Sequence, residues 1–564
     1  MQFTARSKQS VCAVILALAM SLLLVAAGRS APSDQAAPGD QAFVYLTPAL
    51  PLTFDPCFTA GSQTAEIMTN LYESWTRYSV GPLPKGAGLG GVAQGDITAT
   101  GDKAMVGGIF DSWTVSKNGR IYTLHLRQGV RDAYGNRLTA GHVLWSIERI
   151  SQVGGCSFVT RNLGVTTAPD APTRLTEVRQ RIRVINPSTL RVTLAGPNAI
   201  FLRILAVGNG SMVGPEARKH TTAADPWATG WLKTNAAATG PYKLESYSPG
   251  VQVVLVRNPN YYGPRPTIAR VIYKQVDSAA TRVAVLLSGQ AHAARDLSQD
   301  DLNQVAGSRN AKVTCTIRNY MVNLTPNART GPTAKPEVRR ALAYAIPYDA
   351  IIRSVFKGRA RRQLGMAPPI YPASINTDAK AFPYQKTDYV KAKQLLSAAG
   401  YPDGFNASVL ALNTSPEQTQ IAVLLQDSFK RIGVTLTIDS EPFASYTSLT
   451  QQHTFPNFAI WQNNSLVLDI VYHGTLFLNQ GPPPNFNYGG WAAPTFNALA
   501  SAAISLAAGP RYALLQRMQR IFNQNLPYLP LSNIAVCYGL AKNVSGYTWH
   551  TTNQIRFADL RYVG

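Results

Sequence analysis

The sequence predicts a mixed α/β protein built from more than one lobe. Its 564 residues exceed the length that a single hydrophobic core usually supports. Hydrophobic residues make up 45% of the chain and charged residues 15%, which is typical of a folded globular protein rather than a disordered one. Beyond Arg309, strand and helix patterns alternate along the chain, as they do in α/β lobes.

The N-terminus has the layout of a secretory signal. Arg6 and Lys8 precede an uncharged apolar run over residues 11–28, and a stretch rich in Ser, Ala, Pro and Gln follows. We therefore expect residues 1–30 to form a signal that export removes. The apolar run is close to the minimum length of a membrane span, so a retained N-terminal anchor is the alternative. Gly28 stands where a lipoprotein signal would carry its cysteine, so no lipoprotein anchor is predicted.

The first elements of the folded part mix strands and helices. A short apolar strand covers residues 42–46, and apolar residues at helical spacing predict a helix over 64–75. The Gly-rich segment 82–101 is typical of a loop. An Asn-Gly turn at 117–119 separates two β-rich runs, which indicates a hairpin. Thr139 is a suitable N-cap for the helix that follows it.

Further β-rich runs and one amphipathic pattern complete the first half of the chain. The runs predict strands over 181–185, 189–194, 252–258 and 269–276. The segment 278–294 has the apolar periodicity of a helix.

After Arg309 the pattern restarts with a long strand. Strands are predicted over 311–325, 407–413, 434–440 and 526–541, and helices over 336–356, 390–401, 418–433 and 511–523. This alternation indicates a second α/β lobe.

Four cysteines remain once the signal is removed: Cys57, Cys156, Cys315 and Cys537. An even number in an exported chain favours one or two disulfides, and three pairings are open. They form no C-x-x-C pair, which argues against a zinc ribbon or thioredoxin-like chemistry.

The net charge is +23, but the basic residues are scattered along the chain. The only compact run comprises Lys357, Arg359, Arg361 and Arg362, and we interpret it as a solvated loop after a helix. Because an exported protein is also separated from the nucleic acids of the cell, no nucleic-acid binding is predicted.

The sequence contains no complete catalytic or metal-binding motif. The seven His residues are far apart, and neither H-E-x-x-H nor a phosphate-binding loop occurs. Ser211 lacks the two Gly residues of a nucleophile elbow, and the Ser354 to Lys357 match has no companion motif. We therefore predict no catalytic residue, no cofactor and no metal. A triad dispersed in sequence escapes such a search, so a secreted hydrolase is the rival hypothesis.

Six segments in order carry a family resemblance. They lie at 52–78, 108–150, 239–266, 281–302, 335–358 and 389–405. The first holds an Asp-Pro turn, the second Leu-Arg-Gln-Gly-Val, and the fifth Val-Arg-Arg-Ala-Leu-Ala-Tyr-Ala-Ile. Together they resemble the peptide and nickel class of extracellular solute-binding proteins, family five, from about Phe43 to the C-terminus.

The resemblance implies a two-lobe periplasmic-binding-protein-like fold with a hinge between the lobes. Lobe one would comprise residues 40–310 and 530–564, with an extra subdomain over about 81–197, and lobe two residues 320–525. The crossing strands would be 314–324 and 529–539. Their adjacency would place Cys315 beside Cys537, and we expect a disulfide there.

The implied function is that of an extracytoplasmic receptor for an ABC importer. It would bind oligopeptides or a related small solute by lobe closure, pass the solute to a membrane permease, and have no enzymatic activity. We expect a monomer in the periplasm or outside the cell.

The resemblance also implies a ligand site in which one residue departs from the family pattern. In peptide-binding members an Asp three residues after a Trp pairs with the ligand ammonium. Here Asn464 follows Trp461 at that spacing, and an amide cannot supply the charge. Asp469 is the nearest acid that could compensate. Gly141 and His142 also stand where the family has an acid at a helix start.

The other candidate residues are aromatic or amide side chains among apolar walls. The complete predicted set is Phe58, Tyr320, Trp461, Asn463, Asn464, Asp469, Tyr488 and Trp491. For each aromatic residue, packing in a core is the alternative.

Overall fold

The computed structural model describes residues 42–58, 62–96, 105–154, 157–165, 170–207, 212–368, 382–479, 486–506 and 508–563. The predicted signal over residues 1–30, Cys156 and Ser211 lie outside the described residues. Within these ranges, every helix is too short or too polar to cross a bilayer.

The strands lie as follows. They are β1 (Phe43–Thr47), β2 (Thr76–Tyr78), β3 (Val80–Pro82), β4 (Gly88–Leu89), β5 (Gln94–Asp96), β6 (Met105–Gly107), β7 (Phe110–Val115), β8 (Ile121–Leu126), β9 (Ile182–Asn186), β10 (Thr189–Thr193), β11 (Tyr242–Ser248), β12 (Gln252–Arg257), β13 (Arg270–Gln275), β14 (Ala293–Ala294), β15 (Ala311–Pro326), β16 (Ala360–Arg362), β17 (Phe405–Leu412), β18 (Val434–Glu441), β19 (Phe458–Asn464), β20 (Leu529–Ala541), β21 (Val544–Ser545) and β22 (Arg561–Tyr562).

The helices lie between and around these strands. They are α1 (Ser62–Leu71), α2 (Ala140–Val153), α3 (Ser157–Asn162), α4 (Ala171–Arg181), α5 (Phe201–Leu205), α6 (Glu216–Lys219), α7 (Ala279–Leu287), α8 (Gln299–Ala306), α9 (Pro336–Ala345), α10 (Tyr348–Ala350), α11 (Tyr389–Ala398), α12 (Pro416–Lys430), α13 (Phe443–Gln451), α14 (Ile470–Phe477), α15 (Pro494–Ile504) and α16 (Ala508–Asn525). Short 3-10 turns cover Pro56–Phe58, Trp231–Lys233, Pro332–Ala334 and Phe557–Asp559, and Ile351–Val355 is a π-helical turn.

The main sheet is organised around two long neighbouring strands. Its order is β11, β12, β13, β1, β14, β20, β15, β19, β17, β18, with β16 beside β20 and β4 beside β15. β15 and β20 run antiparallel from the pair Ala311 and Ala541 to the pair Leu324 and Leu529. Their register shifts between Ile317 and Met321, so the ladder is interrupted midway. We call these two strands the crossing strands, because they connect the two halves of the sheet.

One half of the sheet comprises β11, β12, β13, β1 and β14. β1 is parallel to both β13 and β14, and its sequence FVYLT is apolar because such strands are covered on both faces. Phe43, Tyr45 and Tyr273 are buried here, together with Ile67 from the apolar face of α1. The predicted opening strand and first helix are confirmed, although the helix ends at Leu71.

The other half comprises β19, β17 and β18. β17 and β18 are parallel and are connected by α12, which buries Ile421, Leu425 and Phe429. β19 is parallel to β17 and antiparallel to β15. The predicted strand, helix, strand alternation after Arg309 is therefore confirmed.

A separate antiparallel sheet has the order β7, β8, β10, β9. The predicted hairpin is confirmed, since the Ser116 N–H donates to the Ile121 carbonyl at 2.9 Å and Gly119 has a φ of 66°. The predicted N-cap Thr139 precedes α2, and its N–H donates to Nδ1 of His142 at 3.2 Å. Burial lowers the pKa of His142, which keeps the ring neutral. His142 thus accepts the hydrogen bond that an acid would accept at this helix start.

Four predicted elements differ from the structure. The basic run, interpreted as a solvated loop, contains β16, which pairs with β20 in the main sheet, so Arg361 and Arg362 are only partly exposed. The predicted helix 336–356 breaks after Ala345, because Pro347 cannot continue the hydrogen-bond ladder. The predicted helix 278–294 ends at Leu287, and the chain turns at Gly289, whose φ is 80°. The predicted loop 82–101 contains short strands, one of which, β4, pairs with β15.

A disulfide joins the crossing strands. Cys315 and Cys537 are register partners with Cα atoms 4.1 Å apart, and their sulfurs are bonded. The predicted pairing is confirmed. Cys57 is also disulfide-bonded.

Candidate functional site

The crossing strand β15 and its neighbour β19 bring several predicted site residues together. Tyr320 lies opposite Asn464, and Trp461 lies opposite Asn323. Because side chains alternate along a strand, Asn463 shares a face with Trp461, while Tyr320 shares the other face with Asn464. The predicted residues therefore form two groups, which the last residues of β19 hold within about 10 Å of each other.

The position of these residues in the sheet favours a binding site. The carboxyl ends of β17, β18 and β19 point the same way, because β17 is parallel to both neighbours. Asn464 is the last residue of β19 and therefore lies at this edge. In open α/β sheets, ligands bind outside the carboxyl ends of the strands.

An aromatic cluster covers one face of β19. Trp461 stacks on Tyr446 with ring centroids 5.5 Å apart, and its ring is 4.2 Å from that of Tyr488. Phe486 meets Tyr488 edge-on at 5.9 Å. Trp461 is partly exposed, so the cluster offers an aromatic surface as well as a packed core.

Three amide side chains of β15 and β19 have buried atoms without hydrogen-bond partners among the described residues. The unpaired atoms are Oδ1 of Asn463, Oδ1 of Asn464, and both Oδ1 and Nδ2 of Asn323. A buried polar atom without a partner costs about 1 to 3 kcal/mol. Asn323 and Asn463 lie on the face of the aromatic cluster, and Asn464 lies on the other face. Unpartnered amides at these neighbouring positions indicate a site whose hydrogen bonds a ligand completes.

Arg318 lies two residues before Tyr320 and was not among the predicted site residues. Its guanidinium lies 4.0 Å from the centre of the Tyr320 ring, and its Nε is buried without a hydrogen-bond partner in the described chain. Burial lowers the pKa of Arg318, and Tyr320, Tyr538 and Asp296 counter this effect only in part. Asp296 itself accepts from Gln63 at 2.8 Å and from Arg295 at 3.1 Å.

The carboxylate of Asp469 is bound by groups of the protein itself and is not open to a ligand. Its carboxylate accepts from Arg203 at 2.6 Å and from Arg511, and it caps α14 through the Val471 N–H at 2.9 Å. The side chain is fully buried. Both oxygens are therefore engaged, and the charge is balanced by two guanidinium groups. Asp469 does not stand free to compensate for Asn464.

The remaining two predicted residues lie apart from this group. Trp491 is 6% exposed, its ring packs on Phe496 at 5.4 Å, and its backbone N–H donates to Oδ1 of Asn487, which are the contacts of a core residue. Phe58 is 41% exposed at the end of its turn. Asp55 anchors that turn through a buried ion pair with Arg149.

The family model for bacterial extracellular solute-binding proteins, family 5, matches residues 104–481, more than half of the chain. The chain belongs to this family. A similar relative is di/tripeptide-binding protein 2 of Pseudomonas aeruginosa, 26% identical over 94% of this chain and 96% of the relative. Glutathione-binding protein GsiB of Salmonella typhimurium is 25% identical over 78% of this chain and 82% of its own.

Solved structures of related fold agree with the two-domain architecture of this solute-binding protein. The periplasmic binding protein DppA from Helicobacter pylori, solved in complex with the peptide STSA, matches with a TM-score of 0.71 and 22% identity. The match covers 93% of this chain and 98% of that chain. The predicted fold and the predicted family are therefore confirmed.

This family-5 solute-binding protein also has a cavity of about 430 Å³ beside the crossing strand β15, since Asn319 of that strand donates to the carbonyl of Thr551, which lines the cavity. At its edge His550 places Nδ1 2.9 Å from Asp96 and Nε2 2.7 Å from Asp559. Burial alone would lower the pKa of His550, but the two carboxylates outweigh it and raise the pKa to about 9. Arg77 and Arg556 also line the cavity, so its charges are largely balanced.

Proposed function

We propose that this protein is the extracytoplasmic receptor of an ABC importer, and that it binds oligopeptides or a related small solute by lobe closure. Two relatives that match most of the chain carry names that refer to di- and tripeptides and to glutathione. Binding without turnover agrees with the family, whose members are periplasmic or extracellular solute-binding proteins. We further propose that residues 1–30 direct export and that the receptor acts as a monomer with a membrane permease.

The crossing strands support a hinge between the two halves of the sheet. We assign residues 40–310 and 530–564 to lobe one, with an extra subdomain over about 81–197, and residues 320–525 to lobe two. The register of β15 and β20 shifts between Ile317 and Met321, at the boundary between these assignments. Hinges are a few residues that absorb large backbone changes, and an interrupted ladder suits that role.

The single observation that carries the binding proposal is the group of buried, unpartnered amides beside an aromatic surface. We assign Tyr320, Asn463, Asn464, Trp461 and Tyr488 to the solute site. An apolar wall with a few placed polar groups is the composition of small-molecule sites in general.

Phe58 is a further candidate wall residue, because its ring is exposed near the opening turn. Asp469 and Trp491 are left out of this assignment, because their contacts are those of structural residues.

Native mass spectrometry of gently purified protein tests the receptor proposal. A retained peptide or other small solute, released on denaturation, is the expected result. Small-angle scattering of the same protein before and after removal of the solute should show a larger radius in the emptied form. Catalytic turnover of peptide or ester substrates, abolished by changing one Ser or Cys, would instead establish the hydrolase.

A further inference from the structure

Arg318 is partly exposed, and it differs from the fully buried arginines of the described residues, because those have bonded partners. Arg149, Arg203, Arg295 and Arg511 pair with carboxylates. Arg339 has no carboxylate partner but donates to the carbonyls of residues 525, 333 and 334 at 2.7 to 2.8 Å.

Arg282 also donates to backbone carbonyls, at 2.7 to 3.2 Å. Thus each of these guanidinium groups is either neutralised or fully engaged by the backbone. The Arg318 guanidinium has neither kind of partner within the described residues, and it lies over the face of Tyr320.

An unpaired guanidinium with a buried Nε is costly unless an anion completes it. The side chain lies on the same face of β15 as Tyr320, which in turn lies opposite Asn464 at the edge where the solute site is proposed. The cation therefore borders the site. The Tyr320 ring holds the guanidinium plane by a cation–π contact, which leaves its edge free for a planar acceptor.

We propose that Arg318 binds a carboxylate of the solute, so that this receptor takes peptide-like acids whose amino end is uncharged. A guanidinium matches a carboxylate by two parallel hydrogen bonds. Asn464 supplies an unpartnered amide oxygen, which accepts a neutral N–H without contributing a negative charge. A site with one fixed positive group and neutral hydrogen-bond acceptors thus favours a solute that carries a carboxylate and amide N–H groups. This inference rests on the proposed receptor function.

Calorimetry with a panel of N-acetylated tripeptides, each as the free acid and as the C-terminal amide, tests the assignment. Wild-type protein, first emptied of retained solute, should bind at least one acid, and bind it about 10-fold or more tighter than its amide. Arg318→Gln should weaken binding of the acid to the level of the amide and leave the amide unchanged. Arg309→Gln removes the same charge from an exposed position and should preserve the ratio.

Thermal unfolding of the emptied proteins separates a binding role from a structural one. Arg318→Gln should unfold at the wild-type temperature or higher, because it removes an unpaired cation whose Nε is buried without a hydrogen-bond partner in the described chain. Arg339→Gln, which strands three carbonyls, should unfold at a lower temperature. A drop for Arg318→Gln as large as that for Arg339→Gln would make Arg318 a structural residue and overturn the inference.

Other outcomes separate the failure of this inference from the failure of the receptor proposal. Retention of the acid preference in Arg318→Gln, or failure of wild-type protein to bind any acid of the panel, overturns the assignment of Arg318. A non-acidic solute retained in native mass spectrometry overturns it too, while the receptor proposal stands. Hydrolysis of the peptides in the panel would overturn both the assignment of Arg318 and the receptor proposal.

Discussion

Cys315 and Cys537 lie opposite each other in the ladder of the two crossing strands and are joined by a disulfide bond. Cys315 precedes the register shift along β15 and Cys537 follows it along β20, so both lie on the side of the shift where β20 pairs with β14. The covalent bond therefore holds the two strands together at one end, while the interrupted part of the ladder lies beyond it.

Replacing both cysteines by serine should lower the free energy of unfolding by about 2 to 4 kcal/mol, since the bridge joins residues separated by 222 positions and restricts the unfolded chain. Urea unfolding under non-reducing conditions measures the loss. Peptide mapping that found Cys57 joined to Cys315 or Cys537 would contradict the pairing itself.

Asp469→Asn should destabilise the protein by about 3 to 5 kcal/mol, because it leaves the buried Arg203 and Arg511 without their shared counter-charge. Chemical denaturation provides the measurement. Asp427→Asn is a matched control, since Asp427 pairs with Arg431 at the surface with 71% of its side chain exposed. That variant should lose less than about 1 kcal/mol. Equal losses for the two variants would show that Asp469 is not a structural anchor.

Asn464 should determine how the receptor treats a charged amino end. Calorimetry should show that wild-type protein prefers an N-acetylated oligopeptide to the same peptide with a free ammonium, because a buried ammonium needs a counter-charge. Asn464→Asp should reverse that preference by about 10-fold or more. Tight binding of the free form by the wild type, lost in Asp469→Asn while the fold is retained, would transfer this role to Asp469.

The stability of the protein should decrease as the pH rises from about 6.5 to 9. His550 has its folded pKa raised to about 9 by Asp96 and Asp559, so its ion pairs contribute fully below the ordinary histidine pKa and are lost above 9. The expected loss is ~3 kcal/mol. Urea unfolding at several pH values should show this slope for wild type and His125→Gln, and its absence in His550→Gln. A His550→Gln variant with the wild-type slope would assign the pH dependence to other groups.

Much of the fold follows from local patterns, whereas part of the site does not. Strands at the positions of β15 and β20, the hairpin at Gly119 and the N-cap Thr139 were predictable, because β-rich runs, turn residues and caps are local features of the sequence. The role of β15 and β20 as crossing strands was predicted from the family resemblance. The break at Pro347 was also visible in the sequence, but the strong apolar periodicity on either side of it concealed the break. Secondary-structure prediction from sequence is least reliable where two local signals conflict, as helical periodicity and a proline do here.

The role of Asp469 required contacts that no short window contains. Arg203 and Arg511 are 266 and 42 positions away from it, and only the folded chain shows that both guanidinium groups meet this carboxylate. Arg318 gave a partial signal, since a charged residue in a central strand demands a partner. That it has none among the described residues is a property of its surroundings, which the sequence does not display.

Arg318 lies within the register shift between Ile317 and Met321, where the ladder of the crossing strands is interrupted. A stretch of strand that skips its ladder partners bends with a smaller loss of backbone hydrogen bonds than one paired throughout. A solute carboxylate bound to this guanidinium would therefore act at the proposed hinge between the two lobes, rather than on one wall of the cleft. If Arg318 binds the solute as proposed, the negative charge of the solute would promote lobe closure, and the affinity and the rate of closure would change together from one acidic solute to the next.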